Sequence, residues 1–451
     1  VDTMSDAKLI FCGSSPLFLK EELTSQSNKE NGGAAFRIPS LIKSGNTLVA
    51  AIDRASCGAD WGYIEIAIRR SEDGGETWSE IEPIAIPPAR ETRISSDSYA
   101  SAFFIDPCMA IAPNGDIVIL VDFFPECMGI HKKKILDKKK IPYAQLNGKM
   151  RPLIYDRDSN FYYIDEDGTV LNSRKEATEY RLADSLGSLY KGEEYMGNIY
   201  LNGAMGKNEL GANITFGAPL KAPKRSYVFM LKSSDNGKTW SEPKDITNMV
   251  LNEDDGVFLG VAPGVGTTTE EGRIIMPLYV MGKKLSTASV YSIDNGETWH
   301  RMTRNPYSEN IDEWQMINAP DGSVVGLGRQ KSYGKTPVSI SQDGGKSWEK
   351  CKKTALYAPK CQKSVITAGD YVFCSHASSK KRENGVISIG KLRMQSGKYC
   401  HIDWFKDVEI NKGFFAYSCL TQIDDDTIGV LYESEPSSYI EFKKYKISEM
   451  I

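Results

Sequence analysis

The sequence predicts an all-β protein of the β-propeller class, and three observations carry that prediction. An octapeptide recurs four times, each copy follows a β-rich segment, and the later copies stand one four-stranded blade apart. The copies read Ser71-Glu-Asp73-Gly-Gly75-Glu-Thr77-Trp78, Ser233-Ser-Asp235-Asn-Gly237-Lys-Thr239-Trp240, Ser292-Ile-Asp294-Asn-Gly296-Glu-Thr298-Trp299 and Ser341-Gln-Asp343-Gly-Gly345-Lys-Ser347-Trp348. Each has the chemistry of a hairpin turn. The Asp can accept from backbone amides ahead of it, the Gly supplies a positive φ, and the Trp is large enough to lock the turn onto a neighbouring layer. The preceding segments Ile64–Ile68, Tyr227–Leu231, Ala288–Tyr291 and Pro337–Ile340 read as strands. The last two intervals are 59 residues (233 to 292) and 49 residues (292 to 341), each a blade with its loops.

The first interval, from 71 to 233, is too long for one blade and predicts an insertion. Residues 126–217 are read as a small β-rich domain emerging from an early blade, between propeller segments 1–125 and 218–451. The insert opens on the basic run His131-Lys-Lys-Lys-Ile-Leu-Asp-Lys-Lys-Lys140 and continues in short pieces such as Phe161-Tyr-Tyr-Ile164, with a turn signal at Asp165-Glu-Asp-Gly168. A solvated face is the default reading of the basic run, and a grip on an anionic glycan the alternative.

Composition narrows the function classes. With 451 residues, 41% hydrophobic and 25% charged, the chain is an ordinary globular one, not a disordered one. A formal charge of −4 argues against nucleic acid or an anionic membrane as the main partner. No apolar run reaches the length of a membrane span, and no signal-peptide pattern opens the sequence at Val1-Asp2-Thr3. The nine cysteines form no CxxC pair and the four histidines are far apart in sequence, so no metal set is expected.

The octapeptides resemble the Asp boxes of sialidases, and further segments extend the resemblance from about Phe36 to Tyr445. Phe36-Arg37-Ile38-Pro39 matches the family's (F/Y)RIP motif, Asp60 follows Ala51-Ile-Asp53-Arg54 and Cys57-Gly58-Ala59, and Asp106 lies in Phe104-Ile105-Asp106-Pro107. Glu313, in Asp312-Glu313-Trp314-Gln315, precedes Arg329 by 16 residues, with the turn Ala319-Pro-Asp-Gly322 between them. Arg382 stands two residues before Asn384-Gly385, Tyr417 lies in Phe414-Phe-Ala-Tyr417-Ser418-Cys419, and Glu433 closes Leu431-Tyr-Glu433. The likeness is greatest to bacterial catalytic domains of the clostridial type.

That resemblance implies a six-bladed propeller and a retaining exo-α-sialidase that needs no cofactor. Sialic acid carries a carboxylate on its anomeric carbon. Arginines suit it, because a guanidinium offers a planar fork and keeps its proton. An anionic nucleophile would be repelled by that carboxylate, whereas a neutral phenol deprotonated as it attacks is not. The resemblance assigns the carboxylate-binding arginines to Arg37, Arg329 and Arg382, the acid/base to Asp60 and the nucleophile to Tyr417. Glu313 would activate Tyr417, Asp106 would contact the sugar's polar groups, and Glu433 would brace Arg37. Asp53 remains a rival for Asp60, and Lys380 and Lys381 remain rivals for Arg382.

Three departures bear on specificity. Thr268 replaces a glutamine and Lys360 an aromatic residue of close relatives. The loop Glu435-Pro-Ser-Ser-Tyr439 lacks the tryptophan that crowds the aglycone in enzymes releasing an anhydro sugar. Hydrolysis is therefore the expected outcome, with trans-sialidase or anhydrosialidase activity, or a catalytically silent sialic-acid-binding propeller, as alternatives. Retention of Asp60, Glu313 and Tyr417 together argues against a lectin, which needs none of them. The expected partners are sialylated glycans of glycoproteins or glycolipids, met by a monomeric catalytic domain that is secreted or held at the cell surface.

Overall fold

A computed structural model describes residues 8–11, 35–55, 58–89, 101–126, 137–201, 205–207, 213–215, 217–437 and 439–451. Its strands form six sheets arranged as the blades of a propeller, antiparallel except where Gly264–Val265 joins Phe103–Ile111 in parallel, with a seven-stranded and a two-stranded sheet besides. The first blade is Ala35–Ser44, Thr47–Ala55, Ile64–Ser71 and Glu82–Ala85. The fourth is Trp314–Asn318, Val324–Gly328, Gly334–Ser341 and Lys352–Ala358, and the fifth runs from Ser364 to Phe414. Around the ring, first strands of neighbouring blades lie against one another, so their ends gather at the central axis. The second strands of the blades are mostly apolar and buried, as expected of a sheet covered on both faces. Ala50, Ile52, Val118, Leu120 and Phe373 are all fully buried.

The second blade is interrupted between its second and third strands. Its strand Ile117–Phe124 pairs with Tyr227–Ser233 in unbroken antiparallel register, and about a hundred residues intervene. Within them, seven strands from Tyr143–Leu146 to Glu194–Asn198 form an antiparallel meander. The alternating exposure along Ala177–Leu182 is that of a sheet with one wet face. The other face packs Ile154, Val170 and Leu189 into a cluster with Tyr200 and with Phe123 and Phe229 of the second blade.

Each octapeptide links the third strand of a blade, the first to the fourth in turn, to the fourth strand. The four turns share one hydrogen-bond scheme. The first Ser hydroxyl donates to the Asp carboxylate and accepts from the Gly amide, and the Asp accepts from the amide and hydroxyl of the Thr or Ser four residues on. Gly75, Gly237, Gly296 and Gly345 all have positive φ, between 81° and 90°. Three of the tryptophans reach toward a neighbouring blade. Trp78 meets Phe442 edge-on at 5.4 Å, the Trp299 indole points at the Met230 sulfur, and Trp348 donates to the Thr303 carbonyl.

The fifth and sixth blades lack the turn. In the fifth, two long strands, Glu383–Gln395 and Lys398–Phe414, meet in a tight turn at Ser396-Gly397. In the sixth, the outermost strand is Lys8–Phe11 from the start of the chain, paired with Ile440–Lys446. The six cysteines among the described residues are free. No helix among the described residues is long and apolar enough to cross a membrane.

Candidate active site

Arg37, Asp60, Asp106, Glu313, Arg329, Arg382 and Tyr417 line one pocket of about 580 Å³. They arrive from the first, second, fourth and fifth blades and from the lead-in to the sixth. The turn Ala319–Gly322 joins two strands in register Trp314↔Gly328, so Glu313 and Arg329 emerge together at the open end of that hairpin. The Arg329 amide donates to the Glu313 carbonyl at 2.8 Å, and its Nη1 lies 2.5 Å from Glu313 Oε2.

Tyr417 stands in the irregular piece between the strand ending at Phe414 and the strand Ser418–Asp424. Its hydroxyl donates to Glu313 Oε1 at 2.5 Å and accepts from Arg329 Nη1 at 2.6 Å. Burial pushes the phenol pKa well above its ordinary value, against the pull of Arg329 and Arg382. Tyr417 is therefore a neutral phenol with a carboxylate placed to take its proton. The Arg382 guanidinium lies over the ring, 5.5 Å from its centre. It is the pocket arginine with no ion pair among the described residues, while neighbouring Lys380 and Lys381 are exposed.

Arg37 Nη1 donates to Asp60 Oδ1 at 2.6 Å and to the Gly58 carbonyl at 3.1 Å. Burial works against its charge, but Asp60 and Glu433 outweigh it and hold the guanidinium pKa above normal. Glu433 braces Arg37 through the backbone: its Oε1 accepts from the Ile38 amide at 2.8 Å, and its own amide donates to the Tyr417 carbonyl.

That brace exists because Ile38 has φ 61°, an unusual value for a β-branched residue. The same device recurs one blade on. Asp106 has φ 65°, precedes a proline as Ile38 does, and gives its amide to Asp53 Oδ1 at 3.2 Å. In both first strands the pairing register slips at the X-Pro step, because proline has no N–H for the ladder. A buried carboxylate takes the amide that the slip frees. Asp53 thus lies beneath Asp106 and outside the pocket lining, which separates it from Asp60. Burial first, and then neighbouring acids, raise the pKa of both Asp53 and Asp106 well above the carboxylate range.

The pocket contains acids that sequence reasoning missed. Asp122 is fully buried; its Oδ1 accepts from the Val261 amide, while Oδ2 has no partner among the described residues. Burial, aided by Asp106, raises its pKa. One signal was available: a lone carboxylate in the apolar run Ile117-Val-Ile-Leu-Val-Asp122-Phe-Phe124. Asp312, 3.7 Å from Arg329 Nε, is pushed up to about 6 by burial, with Arg329 opposing. Tyr279 and Phe258 pack along one wall, their rings 5.0 Å apart and tilted by 49°. Lys360 lines the pocket as its position suggests. Thr268 does not: its hydroxyl is committed to the Ile111 carbonyl at 2.6 Å, in a two-residue strand against Ile274. Among the described residues no group of three or more His, Cys, Asp or Glu could hold a metal ion.

Four rim turns of one design on a six-bladed ring define an Asp-box propeller. The profile of the family described as BNR repeat-like domain matches residues 191–430, and the chain belongs to that family, with bacterial-type sialidases as its relatives. The anhydrosialidase of Macrobdella decora is 27% identical over 92% of this chain and 61% of its own length. Sialidase B of Streptococcus pneumoniae is 25% identical over 94% of this chain and 65% of its own length. The chain thus spans less than two thirds of either relative. An intramolecular trans-sialidase from Ruminococcus gnavus, solved with oseltamivir carboxylate, superimposes with TM-score 0.79 at 24% identity, covering 100% of this chain and 99% of that one.

Proposed function

We propose that this chain cleaves terminal sialic acid from glycans, with retention at the anomeric carbon. The observation that carries the reading is the Tyr417 hydroxyl clasped between Glu313 and Arg329 in a pocket lined by three arginines. The substrate carboxylate sits among Arg37, Arg329 and Arg382, displacing Asp60 from Arg37. Glu313 accepts the phenolic proton while the Tyr417 oxygen bonds to the anomeric carbon. The bond to the leaving oxygen breaks, and Asp60 protonates that oxygen. A tyrosyl-sialoside results, with the Arg329 charge beside the reacting oxygen.

Resolution of that intermediate sets the product. In hydrolysis, water attacks and Asp60 takes its proton. The second reading replaces water with a hydroxyl of the sugar's own glycerol chain and releases an anhydro sugar. It is favoured by two relatives matched across nearly the whole chain, one named an anhydrosialidase and one an intramolecular trans-sialidase. The loop at Glu435, without tryptophan, favours hydrolysis. Sialylated glycoproteins or glycolipids outside the cell are the proposed substrates, met by a monomeric domain.

Incubation with a 3-fluoro sialosyl fluoride tests the chemistry: the expected adduct lies on the peptide containing Tyr417, and an adduct on Glu313 would overturn the tyrosine mechanism. Mass analysis of the sugar released from a sialyl-lactose decides the product, since the anhydro form is lighter by one water.

A further inference from the structure

A second and larger cleft, of about 840 Å³, opens where the insert meets the propeller. Phe124, Phe258, Met281 and Leu285 line both this cleft and the catalytic pocket, so the two are continuous along one wall. The insert is fixed across it by hydrogen bonds, from the Asp137 amide to the Lys224 carbonyl, from the Tyr143 hydroxyl to Asp245, and from Asn248 to the Met150 carbonyl. Its walls are therefore built from both parts.

The lining is cationic on an acidic protein. Lys138, Lys140, Lys283 and Arg225 stand against Asp137 and Glu253, four positive charges to two negative. The Asp137 carboxylate is already engaged with the Lys224 amide. Arg225 is 3% exposed and has no ion pair among the described residues. Its Nε and Nη1 donate to the carbonyls of Ser226 and Gly256, and its Nη2 has no acceptor among the described residues. A buried charge left without a counter-ion is costly, and an anion bound in the cleft above would answer it across the floor. Ile141, 63% exposed, and Met150, 37% exposed, add apolar surface of the kind that covers a sugar's C–H face.

From this arrangement we infer that the cleft is a subsite for an acidic aglycone: a sugar bearing a sulfate or carboxylate, one or two residues inward from the bond cleaved. Arg225 provides the fixed charge beneath the floor, and Lys138, Lys140 and Lys283 provide the rim. The inference rests on the sialidase reading for its orientation, and the basic run of the insert then has a use at its Lys138–Lys140 end.

Calorimetry with sulfated lactose, which carries no sialic acid, tests the cleft separately from the chemistry. The full chain should bind it, and unsulfated lactose should bind roughly 10- to 100-fold more weakly, the range of a hydrogen bond to a charged group. In turnover, kcat/KM for a sulfated or an internally sialylated substrate should exceed that for the neutral trisaccharide by a similar factor. Comparing the two acidic substrates tells a sulfate from a carboxylate. The ratio should fall toward one in Arg225→Gln and in Lys140→Gln/Lys283→Gln, with hydrolysis of a small fluorogenic sialoside unchanged. Should Arg225→Gln misfold, the exposed lysine pair carries the test. Equal binding of both lactoses, or a ratio that survives the lysine substitutions, overturns the subsite. Tight sulfated-lactose binding with no sialoside turnover would instead leave the subsite standing and remove the sialidase reading.

Discussion

The rim turns and the central pocket solve opposite problems with the same residue types. In each Asp box the carboxylate is held by its own turn: Asp235, for example, takes the hydroxyl and amide of Thr239 and is held at about 2. In the pocket, Asp106 and Asp122 are buried among other acids, and burial lifts both well above the carboxylate range. Every hydrogen-bond partner named for the rim carboxylates lies within four residues of sequence, whereas the contacts of Tyr417 with Glu313 and Arg329 span 104 and 88 residues. The rim is satisfied and local. The pocket holds unpaired donors and acceptors and strained residues, and the folded ring maintains them.

Substitutions in the two regions should therefore fail differently. The largest effect is expected at the pocket: Tyr417→Phe should lower kcat/KM by about 10³-fold or more. Natural and aryl sialosides should suffer alike, with the melting temperature near wild type. Asp60→Ala should cost about 10²- to 10⁴-fold on a natural sialoside and far less on an aryl one, whose leaving group departs without a proton. Equal losses on both would move the acid role away from Asp60. At the rim the pattern inverts. Trp299→Ala removes a 2% exposed indole, and calorimetry should register a loss of about 3–5 kcal/mol with kcat and KM unchanged below the melting point.

Acid should also act on the scaffold. Burial holds His376 down at about 4, its ring between the Ala377 carbonyl and Ser388 in the fifth blade. Between pH 6.5 and 4 the unfolded chain binds a proton at this position and the folded one does not. Stability is therefore full above 6.5 and falls as pH drops, by about 3 kcal/mol in total. Denaturant melts across that range should show the slope, and His376→Asn should remove its share. The smallest change is expected from EDTA: none in turnover. Activity lost in EDTA and restored by a divalent ion would assign a role to a metal.

The rim was legible in the sequence because each turn is complete within one octapeptide. The hairpin carrying Glu313 and Arg329 was legible for the same reason, with the turn at Ala319-Pro-Asp-Gly322 marking its closure. Arg37, Arg382 and Tyr417 are joined only by the closed ring, and spacing cannot express that; motif order in a resembling family located them. Asp122 was missed because an apolar run around one acid reads as a buried strand. The path by which Glu433 supports Arg37 was hidden as well, since it depends on a positive φ at Ile38 that no propensity favours. Thr268 was assigned to the pocket by analogy, and a short strand turns it toward Ile111.

The sixth blade is completed by Lys8–Phe11, from the opposite end of the chain. Tyr417 directly precedes its innermost strand, Ser418–Asp424, and Glu433 ends the next, Thr427–Glu433. The sheet beside Tyr417 is thus closed by a strand more than four hundred residues away in sequence. Deleting residues 8–11 should therefore be felt at the central pocket as well as in the melting temperature, one outer strand tying the keeping of the centre to the closing of the ring.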